Sequence, residues 1–303
     1  MMMRSLATPR GAAGAPLSSV HRRCSMLVAL GSLVLQLLAA PGSSAATPAS
    51  SLETLRVSAL PMSKVLVLGA VDVEVSQGES PELLIRGTSS QLAQPPFDAR
   101  TDLLVLGDSN AASAASLDGV RYKLTLPSLT ALRHSGSGSV YVRPFVGGAL
   151  SLSIDGPGSL RAHELAVQRL RLASEGSGEL AVARLSAGAL EVGHSGAGEV
   201  QLGELAVDGA LDVAHDGTGT LIAVGGIAGG PVELALTAAG SVDLAGVEAR
   251  SVSVNIVGSG SAKVRATELL AVTILGSGDV EYCGSPVVKK VILGSGRVRQ
   301  DDS

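Results

Sequence analysis

Three histidines share one position within a repeated glycine motif. His134, His194 and His215 each lie two residues before the first glycine of a Gly-x-Gly triplet. His194 and His215 belong to consecutive copies of the motif, so we expect their rings to stack, with Ser174 one copy earlier. Stacked imidazoles are candidate metal ligands. The alternative is a buried polar ladder bonded to backbone or water. The ladder is favoured because no cysteine or carboxylate shares this column.

Acidic residues flank the same motif on both sides. Asp155, Glu175 and Asp216 lie one residue before its first glycine, and Glu179 and Glu199 lie three residues after it. Such a strip could take up calcium or meet a basic partner. The alternative, which we favour, is a solvated edge that keeps the protein soluble. The calcium-binding nonapeptide pattern is absent, because the period of the motif is about 20 residues and no aspartate recurs in every copy.

Catalytic motifs are missing from the sequence. It has no Gly-x-Ser-x-Gly between a strand and a helix, no His-Glu-x-x-His and no paired Cys-x-x-Cys. The sequence therefore predicts a protein that is not an enzyme, with no catalytic, cofactor-binding or metal-binding residue and no cofactor. The alternative function is a β-helix enzyme acting on polysaccharide, which needs acidic or basic side chains converging in one groove.

Cysteines and aromatic residues are scarce. Cys283 is the one cysteine beyond the leader, and a buried, small apolar side chain is a better expectation for it than a reactive thiol. Aromatic platforms for stacking on sugars are nearly absent. Tyr282, Phe97 and Phe145 are expected to point inward or to lie in loops, which leaves Tyr122 and Tyr141.

The glycine motif recurs along most of the chain. Its first glycine lies at 136, 156, 176, 196, 217, 258, 276 and 294, and Ala238-Ala239-Gly240 fills the gap as a degenerate copy. Spacings of 18 to 21 residues indicate a repeat architecture. The predicted corner glycines are Gly136, Gly138, Gly156, Gly158, Gly176, Gly178, Gly196, Gly198, Gly217, Gly219, Gly258, Gly260, Gly276, Gly278, Gly294 and Gly296.

Apolar residues alternate with polar residues on both sides of each motif. Val232, Leu234 and Leu236 illustrate the pattern, as do Val252 and Val254 in the next copy. A period of two indicates strands with one inward face. A unit of about 20 residues, made of strand, corner and strand, predicts an all-β solenoid whose parallel coils stack about 4.8 Å apart. The motif is a corner and no phosphate cradle, since no helix follows any copy.

The first 46 residues read as an export signal. Four arginines and no acid precede residue 47, and the apolar run MLVALGSLVLQLLAA spans 26–40. This run is short for a membrane helix and typical of a signal peptide, with cleavage near Ala46. Arg22-Arg23 leaves a twin-arginine signal as an alternative. The expected organisation is a signal peptide at 1–46, a flexible lead at 47–64 and a solenoid at 65–303, less regular over 65–126 and regular over 127–303.

Charge restricts the partners. Removing the leader leaves 19 basic against 27 acidic residues, a net charge of −8. This balance argues against nucleic acid and against anionic membrane surfaces.

Three stretches resemble a known family. A strand containing proline leads into the first GSG in LTLPSLTALRHSGSGS (124–139), and GSGDVEYCGSP is followed by VVKKVILGSGRV at 276–298. Together with the repeat, these resemble the bacterial family putative auto-transporter adhesin, head GIN domain, over about 65–299. The family usually has a second aromatic residue where this chain has Cys283.

The resemblance implies a right-handed parallel β-helix-like fold and an exported envelope or surface protein. The resemblance also implies that members of the family share no catalytic residues with enzymes of similar fold. The adhesive role suggested for the family is itself inferred by analogy between folds. Because the chain ends at RVRQDDS, soon after the last motif, we do not expect this protein to act as an autotransporter by itself. We therefore expect a non-enzymatic, adhesin-head-like or structural protein in the periplasm, on the outer surface or outside the cell. Its partner is an unidentified surface protein or glycan, and no transmembrane span remains after signal removal.

Overall fold

A computed structural model describes residues 35–37, 52–58, 62–93, 96–107 and 117–301. They belong to one compact unit, Leu33–Ser303. Apart from a three-residue strand at Leu35–Leu37, the predicted signal peptide lies outside the described residues. No helix in the described part of the chain is long and apolar enough to cross a membrane.

Strands dominate the described chain, with one short helix, α1 (Ser89–Leu92), capped by Thr88. The strands are β1 (Leu35–Leu37), β2 (Leu52–Ser58), β3 (Lys64–Leu68), β4 (Asp72–Gln77), β5 (Glu82–Thr88), β6 (Phe97–Arg100), β7 (Leu103–Gly107), β8 (Arg121–Leu126), β9 (Ala131–Ser135), β10 (Ser139–Val142), β11 (Phe145–Asp155), β12 (Ser159–Gly176), β13 (Glu179–Gly196), β14 (Glu199–Val207), β15 (Leu211–Gly217), β16 (Thr220–Ala228), β17 (Val232–Ala238), β18 (Ser241–Gly258), β19 (Ser261–Gly276), β20 (Asp279–Cys283), β21 (Val287–Gly294) and β22 (Arg297–Gln300).

Parallel pairing between successive coils builds the solenoid. Before the corner, β9, β11, β12, β13, β15, β17, β18, β19 and β21 pair in that order. Paired residues are 20 apart at Leu150 and Leu170 and 18 apart at Leu270 and Val288. The coil shortens where β18 and β19 shift register near Leu244. The predicted all-β solenoid is thereby confirmed.

The core is a set of apolar columns that run through the stacked coils. Leu234 pairs with Val254, and both side chains are buried, as the alternation predicts. The residues that alternate with these inward positions along each strand point away from the core, because successive side chains of a strand point to opposite faces. The inward side chains are almost all aliphatic, so the core excludes water without needing polar partners.

The N-terminal end of the solenoid is closed by antiparallel strands. β8 lies outside β4, β5 pairs antiparallel with β8, and β2 pairs antiparallel with β5. The coil of β7 and β8 therefore lies outside that of β3 and β4, although it comes later in the sequence.

One part of the predicted flexible lead at 47–64 is a strand instead. Within β2, Leu55 and Val57 alternate with polar residues and are buried, and this short pattern suffices for a strand because β5 offers it a partner edge. β1 pairs antiparallel with β2.

A candidate binding edge at the glycine corners

The first glycine of each corner adopts a backbone conformation that other residues avoid. Its φ lies between 110° and 154° in seven copies: Gly136, Gly156, Gly176, Gly196, Gly258, Gly276 and Gly294. Gly217 is the exception, since its φ lies outside this region. A Cβ on Gly276 would also lie 2.3 Å from the Gly258 carbonyl oxygen of the preceding coil. Both the φ and the close stacking of coils require glycine here.

The second glycine of each corner has a different constraint. Gly278 does not have a positive φ, contrary to what its corner position suggests. A Cβ there would lie 2.6 Å from Cγ2 of Ile256, the inward side chain of the preceding coil. Gly158 is the second glycine of the coil that follows His134, and a Cβ on it would lie 2.3 Å from Nε2 of His134. The second glycine therefore makes room for a core side chain.

Corner backbone groups bond to the neighbouring coil. Ser277 N–H donates to the Gly258 carbonyl at 2.8 Å, and Asp279 N–H donates to the Gly260 carbonyl at 3.1 Å. The same pattern continues at Ser295, whose N–H donates to Gly276. Because these N–H groups are already used, the corners offer outward side chains to a ligand and no backbone cradle.

The degenerate corner contains a strained residue. Ala238 has a φ of 85°, the one positive φ found at a described residue other than glycine. It pairs with Gly217 and Gly258, so it occupies the place of a first corner glycine. The left-handed region costs an alanine about 1–2 kcal/mol.

The three histidines are buried as predicted. Nε2 of His134 lies 2.9 Å from the Gly138 carbonyl, and Nε2 of His194 lies 3.1 Å from the Gly198 carbonyl. The rings of His194 and His215 stack with centroids 4.6 Å apart and planes inclined by 16°. Because Nε2 faces a carbonyl acceptor, it carries the proton, which favours the polar ladder over a metal site. No group of three potential metal ligands occurs among the described residues.

Burial sets the protonation of two of these rings. Desolvation lowers the pKa of His134, and the carbonyls of Gly138 and Val67 partly offset the effect. The pKa of His194 is lowered first by desolvation and second by the neighbouring His215. Nδ1 of both rings makes no hydrogen bond of normal geometry. Both are therefore neutral at physiological pH.

The acidic residues line two columns, one on each side of the corner. Asp155 pairs in register with Glu175, and Glu179 pairs with Glu199. Two of these carboxylates are partly neutralised: Asp155 by Arg133 at 3.1 Å and Glu179 by Arg161 at 2.7 Å. Glu199 accepts a hydrogen bond from Gln201. The strip is thus less acidic than its sequence suggests.

Hydroxyl groups that the sequence analysis did not single out share this edge. Ser139, Ser159, Glu179, Glu199 and Thr220 form one column of paired positions beside the corners. An open groove of about 620 Å³ runs along it, lined by Ser137, Gly138, Ser139, Pro157, Gly158, Ser159, Ser177, Gly178, Glu179, Ala197, Gly198, Glu199 and Thr220. In the sequence, this column corresponds to a polar residue that recurs three places after the first glycine of each motif.

Two expectations about isolated residues have clear outcomes. Tyr122 is buried and its hydroxyl donates to the Pro96 carbonyl at 2.8 Å, so it is no sugar platform. Its burial follows from its position in β8, which alternates in phase with the core. Tyr141 remains exposed. Cys283 is a buried free thiol, as expected.

The family model for putative auto-transporter adhesin, head GIN domain, matches residues 61–224 and 184–286. The chain belongs to this family. The two matched stretches overlap, as a repeat allows, and together they cover most of the described solenoid. None of the curated proteins is similar enough to this chain to count as a match.

Solved structures share the fold of this GIN-domain protein. A putative adhesin from Parabacteroides merdae has a TM-score of 0.62 and 20% identity, covering 84% of this chain and 98% of its own. A putative adhesin from Parabacteroides distasonis has a TM-score of 0.62 at 19% identity, with the same coverage. A putative lipid-binding protein from P. distasonis has a TM-score of 0.60 at 19% identity. At such identities the likeness concerns the fold alone.

Proposed function

We propose that this protein is an exported, non-enzymatic adhesin-head-like module that binds an extended surface ligand, protein or glycan, along its corner edge. The observation that carries the proposal is the open polar groove of about 620 Å³ beside four successive corners. Each of these coils contributes one hydroxyl or one carboxylate group to the column beside the corners. An extended ligand would thus meet a polar side chain at each step.

The chemistry of the groove supports binding over catalysis. Ser139 and Ser159 offer hydroxyl groups, and Glu199 offers a carboxylate with no basic partner among the described residues. The corner N–H groups are already bonded within the solenoid, as Gly158 to Gly136 shows. Such a surface recognises by many weak polar contacts, which suits adhesion through repeated attachment. Membership of the family of putative auto-transporter adhesin heads supports the same role.

Export forms part of the proposal. The basic leader and its apolar run support cleavage near Ala46, which would remove β1 and leave β2 as the first strand. N-terminal sequencing of the protein recovered from outside the cytoplasm should give a start close to residue 47. A recovered form that begins before Met26 would refute the cleavage.

Binding can be tested by pull-down of envelope fractions and on glycan arrays. We expect Ser159→Ala combined with Glu199→Gln to reduce retention of the ligand. The matched control is Ser261→Ala combined with Asp279→Asn, which changes the same column outside the groove. Equal retention by both double variants would contradict the assignment of the groove.

A further inference from the structure

The outer face of the last three coils differs in composition from the rest of the solenoid. Nine outward positions of β18, β19 and β21 are aligned by register, and we call them the C-terminal face: Ser253, Asn255, Val257, Ala271, Thr273, Leu275, Lys289, Val291 and Leu293. Lys289 is its one charged residue. Val291 and Leu293 are 56% and 64% exposed, and Val257 and Leu275 are exposed in the same column as Leu293.

The equivalent face of the central coils is acidic. Glu191, Asp212 and Glu233 occupy the column that Lys289 ends. Residues 128–260 contain seven basic and thirteen acidic residues, whereas residues 261–303 contain six basic and five acidic residues. The net charge of the chain therefore hides a change of sign toward its C-terminal end.

The last coil supplies cations without partners. Lys289, Lys290, Arg297 and Arg299 form no ion pair with any described residue. Arg297 and Arg299 lie in register with Asp279 and Glu281 of the preceding coil, and Glu281 also pairs with Lys263 at 3.0 Å. Lys289 and Lys290 lie in register with Ala271 and Val272, so these two lysines leave a local positive potential next to the exposed aliphatic side chains.

A second copy of the chain is a poor occupant for this end. Lys290 is in register with Val272, and Gln300 with Tyr282, so both fall on inward columns of the last coil. A further coil stacked there would bury the Lys290 ammonium group in an apolar column. Charges pointing into an edge are a known protection against edge-to-edge pairing.

We propose that the C-terminal face, with Lys289 on it and Lys290 at the adjoining open end of the solenoid, docks the protein on an anionic lipid surface. Lysines and arginines are attracted by acidic headgroups, and the aliphatic side chains of Val291 and Leu293 enter the interfacial layer. The protein docks side-on, so that the unpaired edges of β21 and β22 stay in water or among headgroups. Acidic proteins and polysaccharides would satisfy the cations but not the four exposed aliphatic side chains. This inference is independent of the corner groove.

The test uses the full chain and sedimentation with vesicles. We expect binding to vesicles of phosphatidylcholine with 30% phosphatidylglycerol, weak binding to phosphatidylcholine alone, and loss of binding in high salt. Lys289→Gln combined with Lys290→Gln should lower the partition coefficient by roughly 25-fold, at about fivefold per cation. The matched control is Arg169→Gln combined with Arg171→Gln in a central coil, which should bind as the wild type does.

A second pair of variants tests the aliphatic contribution. Val291→Ser combined with Leu293→Ser should weaken binding about tenfold or more. Val224→Ser combined with Ile227→Ser, two exposed apolar residues elsewhere, should leave it unchanged. All these positions are exposed, so we expect each variant to melt at the temperature of the wild type. Thermal melts check that each variant folds.

Three outcomes would overturn the proposal. One is no binding to the anionic vesicles. Another is binding to heparin, with vesicle binding that depends on the lysines but not on Val291 and Leu293. That result would indicate a soluble polyanion as the ligand. The third is a dimer in sedimentation equilibrium that Leu293→Ser dissociates, with no vesicle binding, which assigns the C-terminal face to self-association.

Discussion

The central coils and the last coil place opposite residue types in the same core column. Leu234 and Lys290 occupy one column, with Val254 and Val272 between them. Leu234 is buried because a coil lies on each side of it, whereas Lys290 is exposed because none of the described coils covers it. The comparison shows that an inward position can carry a charge where a coil covers it from one side only.

The two ends of the solenoid solve this problem differently. At the N-terminal end, antiparallel β5 and β2 extend the sheet beyond β8 and cover its apolar columns. At the C-terminal end, two columns finish in Lys290 and Gln300, and Gln300 Nε2 donates to the Gly284 carbonyl at 2.8 Å. Val288, Ile292 and Val298 end other columns as partly buried apolar side chains. One end is covered by added strands, whereas the last described coil at the other end carries polar side chains at two of its inward positions.

The largest expected effect comes from placing a charge at the enclosed position. Leu234→Asp buries a carboxylate with no partner and should lower the free energy of unfolding by several kcal/mol. Lys290→Asp in the same column should cost well under 1 kcal/mol, because its side chain stays in water. Chemical denaturation of both variants measures the difference. Similar losses would show that the register of the column is wrong.

The corners should show the next largest effect. Gly276→Val places a β-branched residue at a φ of 132°, with its Cβ against the Gly258 carbonyl, and should cost about 1–3 kcal/mol or more. Ser277→Ala should cost little, because Ala197 and Ala239 occupy that place in central coils. Thermal melts compare the two. If Ser277→Ala destabilised the protein as much as Gly276→Val, the corner interpretation would fail.

A smaller effect of opposite sign is expected at the degenerate corner. Ala238→Gly relieves a φ of 85° that glycine adopts freely. The gain should be about 0.5–1 kcal/mol, since glycine also loses more chain entropy on folding. Ala239→Gly is the control and should not stabilise. A melting temperature that falls in Ala238→Gly would contradict the strain.

The smallest effect concerns pH. Burial lowers the pKa of His134 in the folded protein, so the unfolded chain binds a proton first as the pH falls below about 6.5. The stability from this residue is therefore present above that pH and lost on acidification. His134→Ile, which copies Ile154 in the next coil, should reduce the fall in melting temperature between pH 7.5 and pH 5. An unchanged pH dependence would refute it.

Much of the solenoid was predictable because each coil repeats one local pattern. The period of two fixed which residues of a strand face inward, and the glycine spacing fixed the register between coils. His134, His194 and His215 were placed correctly for this reason. The antiparallel closure by β2 and β5 was not predictable, since a short alternating strand carries no mark of the edge that it joins.

The sequence by itself determined the coil length, the corners, the inward columns and the scarcity of catalytic groups, because these depend on residues close in the chain. Only the tertiary structure decided what the outward side chains do. Stacking brought Arg161 to Glu179, set Ser159 beside the corner groove and gathered Val257, Leu275 and Leu293 on one face. Residues that are 18 to 20 apart become neighbours only through hydrogen bonds between coils, so their shared surface exists only in the folded protein.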